Sequence, residues 1–254
     1  MKLGAQLYTL RNFIQNEKDV DISFGKVAEM GYKTVQVSAI GPIKPEIVRE
    51  KAEKHGLEIV LTHIPADRIL YDTENVIKDH DILGCKYIGL GAMPEKYRDP
   101  QWIHQFHADF IEPAKKMADA GKLFMYHNHN FEFGKINGKR ILDIICEDFK
   151  PNEMGITLDT YWVQAGGADI MDVIDQLHDR IPCVHYKDMA VDGWTPIMAP
   201  CMEGNINFAK ITDKLLEYGQ TEHVLVEQDT CLESPFVCLK KSYDNLMSLG
   251  KFEE

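Results

Sequence analysis

The six cysteines of this chain, Cys85, Cys146, Cys183, Cys201, Cys231 and Cys238, form no C-x-x-C pair. Thiols so widely spaced in a chain of this length read as reduced, which fits a cytoplasmic protein. No apolar run approaches the ~18 residues that a membrane span requires. The N-terminal segment MKLGAQLYTLRNF turns polar too early for a signal peptide. Runs of Lys and Arg are absent, and the net charge is -12. An acidic surface repels phosphate backbones and anionic lipids, so neither nucleic acid nor a membrane is an expected partner. The phosphate fingerprint G-x-G-x-x-G is missing, which argues against an open doubly wound sheet. There is no Pro/Ser-rich linker and no low-complexity stretch, so residues 1–254 read as one domain.

What is present is a repeated unit. Short apolar runs recur along the chain, usually after a glycine: Gly31–Val37, Gly56–Leu61, Gly84–Leu90, Gly121–Tyr126 and Gly155–Asp159. Leu3–Tyr8 precedes them, and Ile181–His185 and Glu222–Glu227 follow. Glycine takes the left-handed conformation that ends a helix. A short run apolar on both faces is what a buried parallel strand needs. Amphipathic stretches lie between the runs, among them Asp21–Met30, Pro45–Lys54, Ile103–Ala120 and Phe208–Tyr218. Eight strands alternating with helices over 254 residues predict a single α/β domain, a closed (β/α)8 TIM barrel. The longest irregular stretch is Met189–Asn205, and a loop of that length usually serves function.

In such a barrel, catalytic groups stand where strands end and the following loops begin. The runs close on Gln6 and Tyr8, Gln36 and Ser38, His63, Gly89 and Gly91, then His127-Asn-His-Asn130 with Glu132. Asp159, His185 with Lys187 and Asp188, and Glu227 with Asp229 complete the set. Asp159, His185 and Glu227 end three consecutive runs. Their mixture of carboxylate oxygen and imidazole nitrogen suits a divalent metal. Ionisable groups converging on a pocket cost desolvation energy unless they are used.

The segments Tyr126–Phe133, Leu158–Trp162, Val184–Asp188 and Val226–Asp229 resemble the xylose isomerase-like barrel superfamily of sugar phosphate isomerases and epimerases. The resemblance spans essentially the whole chain. It is specific for the superfamily and weak for any one reaction. It implies a divalent metal held by Glu, Asp, His and Glu from strands five to eight, the last three matching Asp159, His185 and Glu227. The first departs from the pattern, because His127 stands where the family's glutamate ends the fifth run. Glu132 is the other source of that carboxylate, or the match to the epimerases' second acid/base group. The assignment taken here makes His127 the ligand, with Glu132 and Glu227 as facing acid/base groups. His129 shares the parity of His127 and is expected in the pocket. His63 is expected on substrate hydroxyls, Lys187 on an anionic group or an enolate, and Trp162 as a stacking wall. Glu203 in the long seventh loop is expected to close over the ligand.

The implied function is a metal-dependent isomerase or epimerase of a sugar or sugar-like polyol. It acts by removing a proton next to a carbonyl, with the metal stabilising the enediolate. Mn2+ or Mg2+ suits the carboxylates, and Zn2+ or Co2+ gains if two imidazoles bind. The rival readings are a lyase or dehydratase on a keto-inositol or 3-keto-glycoside, and a non-catalytic sugar-binding barrel. The superfamily's endonuclease branch, with its trinuclear zinc, is disfavoured by Gln36 where a carboxylate is expected. Barrels of this kind often self-associate, so a homo-oligomer is compatible with the sequence, and nothing in it sets the number of subunits.

Overall fold

The computed structural model describes residues 1–253. Eight parallel strands close into a barrel. They are β1 (Lys2–Gln6), β2 (Thr34–Val37), β3 (Glu58–His63), β4 (Tyr87–Leu90), β5 (Leu123–His127), β6 (Met154–Asp159), β7 (Cys183–Tyr186) and β8 (His223–Val226). Each pairs with its neighbours in sequence, and β1 pairs with β8 to close the ring. The eight runs expected from the sequence are these strands, shifted by a few residues at their ends.

The shifts have local causes. The first long helix begins at Glu17 rather than Asp21, because the Asn16 side chain caps it by accepting from the Asp19 N–H. The helix Thr73–Leu83 ends on Gly84 at φ 66°, the left-handed stop that the pattern implied. Gly155 does not precede β6 but lies inside it, where a Cβ would stand 2.6 Å from the Met125 sulfur. The segment 189–205 is not wholly irregular. Asp188–Asp192 and Thr195–Ala199 form an antiparallel hairpin, and Gly193-Trp194 makes its turn, with Gly193 at φ 58°.

Strand alternation divides the molecule into two apolar regions. Leu61, Tyr87, Met125, Cys183 and Leu225 form a separate cluster that plugs the barrel. The opposite parity packs against the helices in the main core, as with Val35, Ile88, Tyr126 and Val184. The helix Ile103–Asp119 presents Ile103, Phe106, Phe110, Ala114 and Met117 to that layer, spaced by three or four residues. Two residues beyond the plug on several strands come the polar ends: His63 after Leu61, His127 after Met125, His185 after Cys183 and Glu227 after Leu225. The floor of the functional site is therefore the top of the barrel plug.

One buried histidine belongs to the scaffold. His80 is fully buried; its Nδ1–H donates to the Val76 carbonyl, and Nε2 lies 2.7 Å from the Thr62 hydroxyl. Burial pushes its pKa down to about 4. The unfolded chain takes up this proton near pH 6.5 and the folded one does not, so stability falls as pH drops from about 6.5 to 4. The loss attributable to this ring is on the order of 3 kcal/mol. Urea midpoints of the wild type and His80→Gln at pH 6.5 and 4.5 check this. The variant should show the shallower decline; parallel declines would remove the assignment.

Candidate metal centre

His127, Asp159, His185 and Glu227 come from β5, β6, β7 and the end of β8. Each offers one ligand atom, these atoms lie within 4.8 Å of one another, and all four residues are buried. Asp159 stands at the centre. Its Oδ1 accepts from the Trp162 N–H and so caps the short helix Thr160–Ala165. Its Oδ2 lies 3.2 Å from His127 Nε2, 3.2 Å from Lys187 Nζ and 3.8 Å from His185 Nδ1. Asn128 ties the two strand ends together by accepting from the Asp159 N–H.

Outer contacts orient both imidazoles. His127 Nδ1–H donates to the Gly91 carbonyl at 2.9 Å, which leaves Nε2 as the inward acceptor. His185 Nε2–H donates to Gln36 Oε1 at 2.6 Å, across the barrel from β7 to β2, which turns Nδ1 towards Asp159 and Glu227. Such partners fix the tautomer that a metal-binding histidine needs. Gly91 also leaves room for a neighbour, since a Cβ there would stand 3.0 Å from the His63 ring.

The charges agree with this geometry. Burial opposes the His185 imidazolium, but Glu227 and Asp159 outweigh it and raise its pKa to about 9. Burial likewise opposes the charge of Glu227, yet Lys187 and then His185 hold its pKa far below the usual carboxylate range. Asp159 is held low in the same way by Lys187 and the two imidazoles. The Lys187 ammonium is itself buried and reaches Asp159, Glu227 and Asp229 at 2.9–3.2 Å. Three carboxylates around one ammonium leave a negative balance that a dication would offset. Moreover, His185 Nδ1 and Glu227 Oε2 are buried 3.0 Å apart without the alignment of a hydrogen bond. Two imidazole nitrogens and two carboxylates whose ligand atoms converge within 4.8 Å fit a bound divalent cation.

Above the centre opens a pocket of about 410 Å³ lined by His63, His127, His129, Lys187, Glu227 and Asp229, among others. His129 faces it as its parity required, with Nδ1 unpaired. Burial and His127 lower its pKa to about 3. His63 Nδ1 lies 3.3 Å from the Ser38 hydroxyl, and Nε2 is unpaired. Trp162 does not line the pocket itself but stands beside two residues that do, its ring 5.4 Å from that of His129 and 5.2 Å from Lys187 Nζ.

Two further expected residues are not brought to the pocket. Glu132 does not face Glu227. It sits on a 3-10 turn after β5, fully buried, where Oε1 accepts from the Tyr126 hydroxyl at 2.6 Å and Oε2 from the His129 N–H at 2.8 Å. Tyr126 has outward strand parity, so this carboxylate lies behind the strand and braces the His129 loop. Burial raises its pKa to about 7. Glu203 is exposed, with its carboxylate 3.8 Å from Lys241. Its loop is folded back by Asp188, which accepts from the N–H groups of Met189, Met202, Gly204 and Ile206. Gln36 and Asn128, which orient His185 and tie down Asp159, carry no charge, so an argument from ionisable residues passes them over.

The family model described as xylose isomerase-like TIM barrel matches residues 24–233. The chain belongs to that family. Among curated relatives of this xylose isomerase-like barrel is an inosose dehydratase from Geobacillus kaustophilus, 23% identical, covering 87% of this chain and 84% of the relative. A sugar phosphate isomerase/epimerase from Parabacteroides distasonis superposes with a TM-score of 0.82 at 24% identity, covering 97% of each chain. A third barrel, the IOLI protein, was solved with a bound zinc atom and covers all of both chains at a TM-score of 0.73 and 14% identity. At such identities these structures share the fold. Among the described residues, no helix is long and apolar enough to cross a membrane.

Proposed function

We propose that this barrel is a metal-dependent lyase for a ketonic sugar or keto-polyol, which removes a proton beside the carbonyl and expels a β-substituent. One observation carries the reading: the proton-carrying groups of the pocket stand on one side of it. Lys187, Glu227 and Asp229 follow β7 and β8, whereas His63 ends β3 across the barrel. Burial and neighbouring imidazoles keep His63 and His129 neutral across the physiological range. They are suited to orienting hydroxyls rather than returning a proton from the far face. Glu132, the carboxylate that two-faced epimerisation would use, lies behind the strand. Elimination on one face needs a single carboxylate, which takes the α-proton and hands it to the leaving oxygen. The likeness to inosose dehydratase supports the same choice.

His127, Asp159, His185 and Glu227 would hold the cation, which when bound supplies Lewis acidity that acidifies the carbon beside the substrate carbonyl. Two imidazoles in the set favour a borderline ion such as Zn2+, Co2+ or Mn2+ over Mg2+. With Glu227 committed there, Asp229, paired with Lys187, is the pocket carboxylate outside the ligand set. Burial and the Glu227 charge raise its pKa, as a general base requires. Lys187 stabilises negative charge on the carbonyl oxygen, and His129, backed by Trp162, walls the ring.

Two measurements test this. NMR of a keto-inositol and of a 3-keto-glucoside incubated with the metal-loaded protein in D2O should show loss of the β-substituent. Deuterium uptake with inversion or carbonyl migration, and no elimination, would overturn the lyase. Glu132→Gln should retain activity within about tenfold, because it acts behind the site, whereas Asp229→Asn should lose on the order of 10²-fold or more. The reverse order would restore Glu132 as the acid/base group.

A further inference from the structure

Beside the metal pocket lies a second cavity of about 630 Å³, bounded by β2, β3 and the helices Pro45–Lys54 and Thr73–Leu83. The two share a wall made by Ser38, Ala39, His63, Ile64 and Pro65. We infer that this annex binds an apolar, ring-bearing substituent attached to the sugar-like part of the substrate. The inference deepens the proposed reaction by naming its substrate class, an aryl or similarly apolar keto-glycoside, and it rests on that reading only for the chemistry.

The walls carry the argument. Ile40, Pro42, Ile43, Val48, Ile64 and Leu83 line the annex. Each of its six polar side chains already has a polar partner. Thr62 meets His80 at 2.7 Å, Arg68 pairs with Asp79 at 3.1 Å, and Ser38 meets His63 at 3.3 Å. A hydroxylated ligand would lose water there and have to compete with these existing pairs, whereas an apolar ring loses only unfavourable hydration. Among the buried polar side-chain atoms of the annex, the one without a partner, His63 Nε2, belongs to the residue shared with the metal pocket. A polar linkage followed by an apolar ring matches that order of surfaces.

The annex is also preformed. Ala39 holds a left-handed backbone at φ 53°, which L residues adopt reluctantly. The Gln15 side chain stabilises it by donating to the Ala39 carbonyl at 2.8 Å, and the Gly41 N–H donates to the Ile14 carbonyl. The bend sets Ser38 on the shared wall and leads the chain into Ile40–Ile43 over the annex. The volume lies within the usual range of small-molecule sites.

The test uses 2-naphthol as the probe, titrated into the full chain by ligand-observed NMR. Saturable binding is expected. Ile43→Asp and Ile40→Asp, both at half-buried positions, should weaken it by about tenfold or more, because a carboxylate enters an apolar wall. Asp159→Ala should leave it unchanged. Melting temperatures establish that each variant is folded. Among 3-keto-glucosides, the phenyl compound should have a KM about tenfold below the methyl one, and Ile43→Asp should remove the difference. Naphthol binding that no folded annex variant alters, or no saturable binding, overturns the inference even if elimination is observed. Annex-dependent naphthol binding with no elimination from either glucoside supports the annex and overturns only the proposed reaction.

Discussion

Asp159→Ala should reduce bound metal from one ion per chain to a small fraction, and turnover should fall by about 10³-fold or more. Asp159 Oδ2 is the atom that reaches both His127 and His185. The remaining groups, two imidazoles and Glu227, keep donors but lose the centre of their arrangement. Asp159 also caps the helix that follows β6, so alanine carries a structural cost of about 1 kcal/mol. Asp159→Asn separates the two effects, because an amide oxygen can still accept from the Trp162 N–H without offering a charged ligand. Both variants should lose metal, and Asn should melt closer to the wild type. Metal analysis after exhaustive dialysis decides it: a full equivalent of ion in both variants would overturn the centre. The wild type should also bind metal more weakly at lower pH. His185 Nδ1 takes either a proton or the ion, and its pKa is raised to about 9. Below that pH the ion must displace a proton, so affinity should fall about tenfold per pH unit from this group.

Most of this centre was legible because period two runs unbroken to the strand ends. Leu225 fills the plug, so Glu227, two residues on, must face the pocket; Cys183 and His185 follow the same rule. Counting fails where the strand stops. Glu132 lies five residues past His127, and the 3-10 turn at Phe131–Phe133 breaks the alternation between them. Its partner Tyr126 has outward parity, a clue visible only once the turn brings the two together. Gln36 is visible in the sequence only as a strand end, because its contact with His185 spans 149 residues of chain. The Gly91 carbonyl that orients His127 carries no side-chain signature at all. The hairpin in the seventh loop did leave a mark, Gly193, which supplies the positive φ at the first position of a tight two-residue turn.

Lys187→Met should destabilise the metal-free protein by about 3–5 kcal/mol, and added metal should restore much of the loss. The ammonium is buried among Asp159, Glu227 and Asp229, so its removal leaves carboxylates with neither water nor a full counter-charge. Methionine keeps the length and apolar stem of the side chain, which isolates the charge. At this chain length the deficit corresponds to a drop of about 10 °C in melting temperature. The carboxyls can respond only by taking up protons, so their folded-state pKa values rise in the variant. Groups raised in this way lose stabilisation as pH increases, and the deficit should be larger at pH 8 than at pH 5. A divalent ion supplies the missing positive charge at the same carboxylates, without an ammonium competing for them. Its addition should therefore raise the melting temperature of the variant more than that of the wild type. Turnover of the metal-saturated variant should still fall on the order of 10²-fold, because no other cation faces the substrate oxygen from that side. Thermal unfolding of chelator-treated and metal-loaded protein at the two pH values measures all three effects. Equal melting temperatures for metal-free wild type and variant would mean that Lys187 does not balance these carboxylates. Equal shifts on metal addition would mean that ion and ammonium do not share them.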